Sequence, residues 1–146
     1  MDKIYDILIK EHGEVAKLIK KAMHDNTEEI FNQIKAILQP HLIGEEELFY
    51  PKLEENDELI DLVKHAFHEH KEIKVVLREL DDTSKKDQNW FSKINELDKT
   101  VSHHVEEEET KVFPAAQKVL SDDQAQEIAQ QYTEFSKNYK PQPTTR

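Results

Sequence analysis

The chain has 146 residues, a formal net charge of −11, 36% hydrophobic and 35% charged residues. Its length favours one domain, its lack of Cys excludes disulfides, thiolate metal sites and Cys nucleophiles, and its acidity argues against a nucleic-acid partner. With two Gly and five Pro a turn-rich β-fold is disfavoured, no apolar run nears the roughly 20 residues of a membrane span, and the opening MDKIYDILIK has no signal-peptide core, so an acidic, helical, cytoplasmic protein is expected.

Apolar residues recur at spacings of three and four. In the first segment Ile4, Leu8, His12, Val15, Ala16, Ile19 and Met23 share a face. His24 closes that helix, where a cation suits the dipole. Asn26 or Thr27 can cap the second helix, with Glu28 and Glu29 in its first turn. Its stripe reads Ile30, Ile34, Ile37, Leu38, His41, Glu45, Leu48 and Lys52, and Pro40 is expected to bend it. After a polar break at 54–57, the third stripe reads Leu59, Leu62, Val63, Ala66, His70, Ile73, Leu77 and Leu80. A polar connector, 81–88, precedes the fourth stripe of Trp90, Ile94, Leu97, Val101, His104, Glu108 and Val112, expected to end near Pro114. Ser121 and Gln124 have capping-box spacing before a short fifth helix carrying Ala125, Ile128, Ala129, Tyr132 and Phe135.

Long helices joined by short polar links predict an all-α fold, an antiparallel up-down-up-down four-helix bundle with a short C-terminal fifth helix. Residues 1–137 form this domain and 138–146, with two prolines, read as a loose tail.

Each of the four long stripes carries one His: His12, His41, His70 and His104. Glu45 and Glu108 follow His41 and His104 by four residues, about 400° of helix, and so share their faces. A bundle would aim four imidazoles and two carboxylates inward. Buried without partners, such groups cost several kcal/mol each or titrate to neutrality. A metal cluster removes that cost, because imidazoles and carboxylates are natural ligands. A completely hydrogen-bonded polar network is the alternative. The metal reading is strengthened by an internal repeat. Glu11-His12 matches Glu69-His70, and His41 with Glu45, Glu46 and Pro51 matches His104 with Glu108, Glu109 and Pro114. Two equivalent half-sites would set two metals side by side, with Glu45 and Glu108 able to bridge them.

This constellation resembles the hemerythrin-like, HHE cation-binding domain family over roughly residues 4–135. The resemblance implies a non-haem di-iron centre within a four-helix bundle, with His12, His41, His70 and His104 as ligands and Glu45 and Glu108 as bridging carboxylates. It implies two Fe ions with an oxo, hydroxo or water ligand, and O2 or NO as the small-molecule partner. A peroxide- or NO-consuming redox enzyme, or iron storage or delivery, are the other functions it accommodates. Iron comes from the family; the donor set alone also accepts Mn, Zn or Co. Oxygen-carrying members have a second His one turn from the first on the third helix, where this chain has Ala66 and Lys74 flanking His70.

The remaining polar residues stay open. His65, His68 and His103 are out of phase with the stripes and are expected to face solvent. A π-bulge would realign His65 with His70. Glu46 and Glu109 are either surface carboxylates or hydrogen-bond partners of the ligating imidazoles. Tyr5 and Tyr50 are candidate proton donors.

Overall fold

The computed structural model describes residues 2–25 and 28–140. Among these residues every regular element is helical. Helices α1 (Ile4–His24) and α2 (Glu28–Gly44) form the first hairpin. A π turn, Glu45–Phe49, carries α2 without a break into α3 (Tyr50–Leu53). A 3-10 turn, Asp57–Leu59, leads into α4 (Ile60–Asp82). Next comes α5 (Gln88–Glu107), which a second π turn, Glu108–Val112, joins to α6 (Phe113–Val119). Helix α7 (Asp122–Asn138) ends the described fold.

The expected caps at Asn26 and Thr27 lie outside the described residues, as do the last six positions of the expected tail, 141–146. Pro40 sits inside α2 without ending it. The fourth long helix does not stop at Pro114 but continues to Val119. The fifth helix is not short: at 17 residues it equals α2, and its predicted Ser121–Gln124 capping box is formed. No helix among the described residues is long and apolar enough to cross a membrane.

Two π turns are the main departure from the expected periodicity. Each runs into a proline two residues beyond its end, Pro51 and Pro114. Proline cannot donate to the carbonyl four residues back, so the α ladder is already interrupted there. A π turn adds one residue and advances the phase of everything after it. Lys52, expected on the stripe, is therefore exposed, while Phe49, Tyr50 and Leu53 are buried. Ala16, also expected inside, is exposed, and Ala22 takes an inward position on α1 instead.

Packing divides the interior into two apolar clusters. One gathers Leu8, Phe49, Tyr50, Ala66, Val112 and Phe113 with Ile128, Ala129 and Tyr132 of α7. The other gathers Val15, Leu38, Leu42, Ile73, Trp90 and Val101. In each long helix the inward polar residues fall between a residue of one cluster and a residue of the other. His12 lies between Leu8 and Val15, and His70 between Ala66 and Ile73. The polar groups thus form a layer across the middle of the molecule.

Candidate metal centre

All six residues expected to face inward are buried: His12, His41, Glu45, His70, His104 and Glu108. They form two interlocking groups of four, each with its donor atoms within 4.8 Å of one another. One comprises His12, His41, Glu45 and Glu108; the other comprises His70, His104, Glu45 and Glu108. Each hairpin supplies both histidines of one group, and the two glutamates belong to both.

The imidazole Nε2 atoms point inward. His12 Nε2 lies 3.1 Å from Glu108 Oε1, and His70 Nε2 lies 3.0 Å from Glu45 Oε1. His41 Nε2 is 3.4 Å from Glu45 Oε2, and His104 Nε2 is 3.6 Å from Glu108 Oε2. Every Nδ1 points outward to a second carboxylate. His12 meets Glu109 at 2.8 Å, His41 meets Glu11 at 2.8 Å, His70 meets Glu46 at 2.7 Å and His104 meets Glu69 at 2.7 Å. Glu46 and Glu109 are therefore the imidazole partners that the sequence left undecided. Glu11 and Glu69, quoted from the repeat for their place beside a His, each hold the histidine of the next helix rather than their neighbour. The pattern obeys the approximate two-fold, with Glu11 to His41 matching Glu69 to His104, and Glu109 to His12 matching Glu46 to His70.

This donor set fits a pair of metal ions. A carboxylate on Nδ1 fixes the tautomer that leaves Nε2 free to ligate, and it makes the imidazole more basic. Two buried atoms facing the centre, His41 Nε2 and Glu45 Oε2, make no directed hydrogen bond. A hydrogen-bonded network would satisfy both, so the metal reading accounts for what that alternative leaves over.

Charge is strongly coupled across the layer. Burial alone would lower the pKa of His41, but the charge of Glu45 and the hydrogen bond to Glu11 raise it to about 10. His104 is likewise raised to about 10, since the carboxylates of Glu45 and Glu69 outweigh its burial. Burial pushes Glu45 up, yet the His41 charge and contacts with His104 and His70 bring it well below the usual carboxylate range. Glu108 is raised by burial and by the nearby Glu45. Without a cation, protons hold this layer together.

Tyr50 is the clearest member of the site that sequence reasoning left without support. Its hydroxyl donates to Glu108 Oε2 and lies 3.3 Å from Glu45 Oε1 and 3.2 Å from His70 Nε2. Burial and the Glu108 charge hold the phenol protonated. The π turn brings it there, since Tyr50 follows Glu45 by five residues. The equivalent residue of the other hairpin is Phe113, whose ring stacks on His12 at 6.1 Å. Tyr5, the other candidate donor, packs on Phe49 and Phe113 instead.

The π turns lie beside the glutamates and not near His65. Helix α4 is regular, and the side chains of His65 and His103 are 54% and 63% exposed. His68 is also exposed. None of the three joins the central layer. His65 and His103 do meet each other's neighbourhood, across α4 and α5, around Glu69 and Glu107.

A narrow cavity of about 10 Å³ abuts the layer, room for about one water-sized molecule. It is lined by Glu11, His12, His41 and His104 together with apolar Val15, Leu38, Leu42, Ile73, Val101 and Val105.

Comparison with known proteins agrees with this geometry. Residues 3–116 match the Hemerythrin HHE cation binding domain. An uncharacterized hemerythrin-like protein of Schizosaccharomyces pombe is 28% identical over 97% of the chain and 72% of its own length. A DNA nickase of Nostoc is 28% identical over 90% of the chain, which spans only 38% of that protein. The crystal structure of a hemerythrin HHE cation binding domain-containing protein from Mycobacterium kansasii superposes with a TM-score of 0.79. It is 22% identical, covering 94% of this chain and 89% of that one, and attests the fold.

Proposed function

Since the chain belongs to the hemerythrin HHE cation-binding family, we propose that it is a non-haem di-iron protein that binds or senses O2 or NO. His12 and His41 would hold one ion, His70 and His104 the other, with Glu45 and Glu108 between them. The observation that carries this reading is the pair of four-residue groups sharing two glutamates, with every imidazole fixed from behind by a carboxylate. The up-down-up-down bundle is supported by side-chain pairs that run in opposite chain directions. Lys35 meets Asp81 while Glu46 meets Lys74, and Glu79 meets Lys93 while Glu69 meets His104.

Bound iron supplies one-electron chemistry and coordination positions that four His and two Glu do not fill. The chain's own contribution is orientation and exclusion. The four outer glutamates lock the rings. The apolar wall formed by Val15, Leu38, Leu42, Ile73 and Val101 favours a small uncharged ligand beside His12, His41 and His104. The cavity's size fits a diatomic gas rather than an organic substrate. A second reading, consumption of peroxide or NO, draws on Tyr50, whose protonated hydroxyl lies in the layer as a proton donor.

The test is elemental analysis of iron-replete protein, followed by anaerobic reduction and exposure to O2 or NO while absorption is recorded. About two irons per chain and a reversible spectral change are expected. Iron well below one per chain overturns the metal assignment. Iron without any response to either gas overturns the ligand. Steady catalytic consumption of peroxide or NO replaces binding with turnover.

A further inference from the structure

The spacing His-x-x-x-Glu occurs six times in this chain, at 24/28, 41/45, 65/69, 68/72, 103/107 and 104/108, and the central layer uses two of them, 41/45 and 104/108. Two of the others are His65 with Glu69 on α4 and His103 with Glu107 on α5. The fold brings these two together, with one donor atom from each residue inside a 4.8 Å span. His65 Nε2 and His103 Nε2 each lie 3.2 Å from Glu69 Oε2, and each lies 3.9 Å from Glu107 Oε1. A tetrahedron with bonds of about 2.0 Å has edges of roughly 3.3 Å, the spacing of a zinc-like site.

Glu69 marks this cluster as more than a surface ion-pair group. It is 3% exposed, and its Oε2 makes no directed hydrogen bond. Its other oxygen holds His104 Nδ1 at 2.7 Å. The two-fold counterpart, Glu11, is completed differently. Tyr132 of α7 donates to Glu11 Oε1 at 2.5 Å, and α7 covers that hairpin. The positions equivalent to His65, His103 and Glu107 are Ile7, Pro40 and Gly44, which carry no donor side chain. So one hairpin finishes its half-buried Glu11 with a tyrosine, and the other opens buried Glu69 toward two imidazoles and a second carboxylate. Glu107 keeps its Oε2 on Lys111 at 2.9 Å, leaving Oε1 for the cluster.

We propose that His65, Glu69, His103 and Glu107 form a separate binding site for a first-row divalent cation at the α4–α5 surface. Glu69 is its shared wall with the inner centre, one oxygen facing the outer cation and one facing His104. The donor set, two imidazoles and two carboxylates with no thiolate, suits Zn²⁺ and its neighbours in the series. The site goes beyond the gas-binding reading and does not require the inner centre to be filled.

Equilibrium dialysis of the full chain against Zn²⁺, with elemental analysis, tests it. The variant H65A/H103A removes two exposed side chains and should keep its helical circular dichroism. It is expected to bind one equivalent fewer than the unaltered chain. The variant H24A/H68A, which removes two other exposed histidines, is expected to lose none. Equal stoichiometry in the unaltered chain and H65A/H103A overturns the outer site, as does an equal loss in H24A/H68A. Counts of one against none support the outer site while the inner one fails. Counts of two against two do the reverse.

Discussion

At the residue scale, each central histidine depends on two carboxylates doing different things. One faces Nε2 within the layer and one grips Nδ1 from outside. For His41→Ala we expect iron content and thermal midpoint to fall together, because metal-binding energy is folding energy in such a site. Elemental analysis and calorimetry on the same samples check this; unchanged iron would contradict the ligand assignment. Tyr50→Phe removes the hydroxyl that donates to buried Glu108 and lies beside buried Glu45. It should cost about 1–3 kcal/mol in the metal-free protein, measured by urea unfolding. The raised pKa values of His41 and His104 give a pH dependence with a definite sign. Protonated imidazoles are favoured in the folded, metal-free chain, so this stability is complete below the unfolded value near 6.5. It is lost as pH rises through about 10. Bound cations need the deprotonated rings. Chelator-treated protein should thus lose stability between pH 7 and 10, while loaded protein should not. Thermal melts across that range distinguish the two.

At the element scale, the π turns and α7 decide what reaches the layer. Deleting exposed Glu47 from the first π turn would set Tyr50 four residues after Glu45, where an ordinary helix keeps the two on one face. Metal content and helical content by circular dichroism should both be retained, and a loss of metal would contradict this account of the turn. Gly44 lies directly beneath the Tyr132 ring, where an added Cβ would overlap it. Gly44→Ala should therefore cost about 1–3 kcal/mol in thermal or urea unfolding by pushing α7 away. It should also loosen Glu11 and, through it, His41. These elements mark the border of what the residues revealed in advance. The inward stripes, His12, His41, His70, His104, Glu45 and Glu108, were legible because an α-helix repeats every 3.6 residues and charges seldom sit on its apolar face. The π turns were not, because a one-residue phase advance cannot be seen in a periodic pattern. Their only sign was the ten-residue interval from His41 to Pro51 and from His104 to Pro114. The roles of Glu11 and Glu69 were hidden for another reason: each holds a histidine on a different helix, which spacing along one chain cannot encode.

At the scale of the whole molecule, the polar layer separates two apolar clusters that share no member. One includes α7 and the aromatic group around Phe49; the other is built on Trp90 and Phe31. The four long helices pass through both, yet the side chains between them are ionisable and closely crowded. On the proposed reading, two cations at that level would act as rivets joining separately packed blocks. Stripped of them, the protein should lose its single cooperative melt, and calorimetry should resolve two broader transitions that merge again when iron is restored.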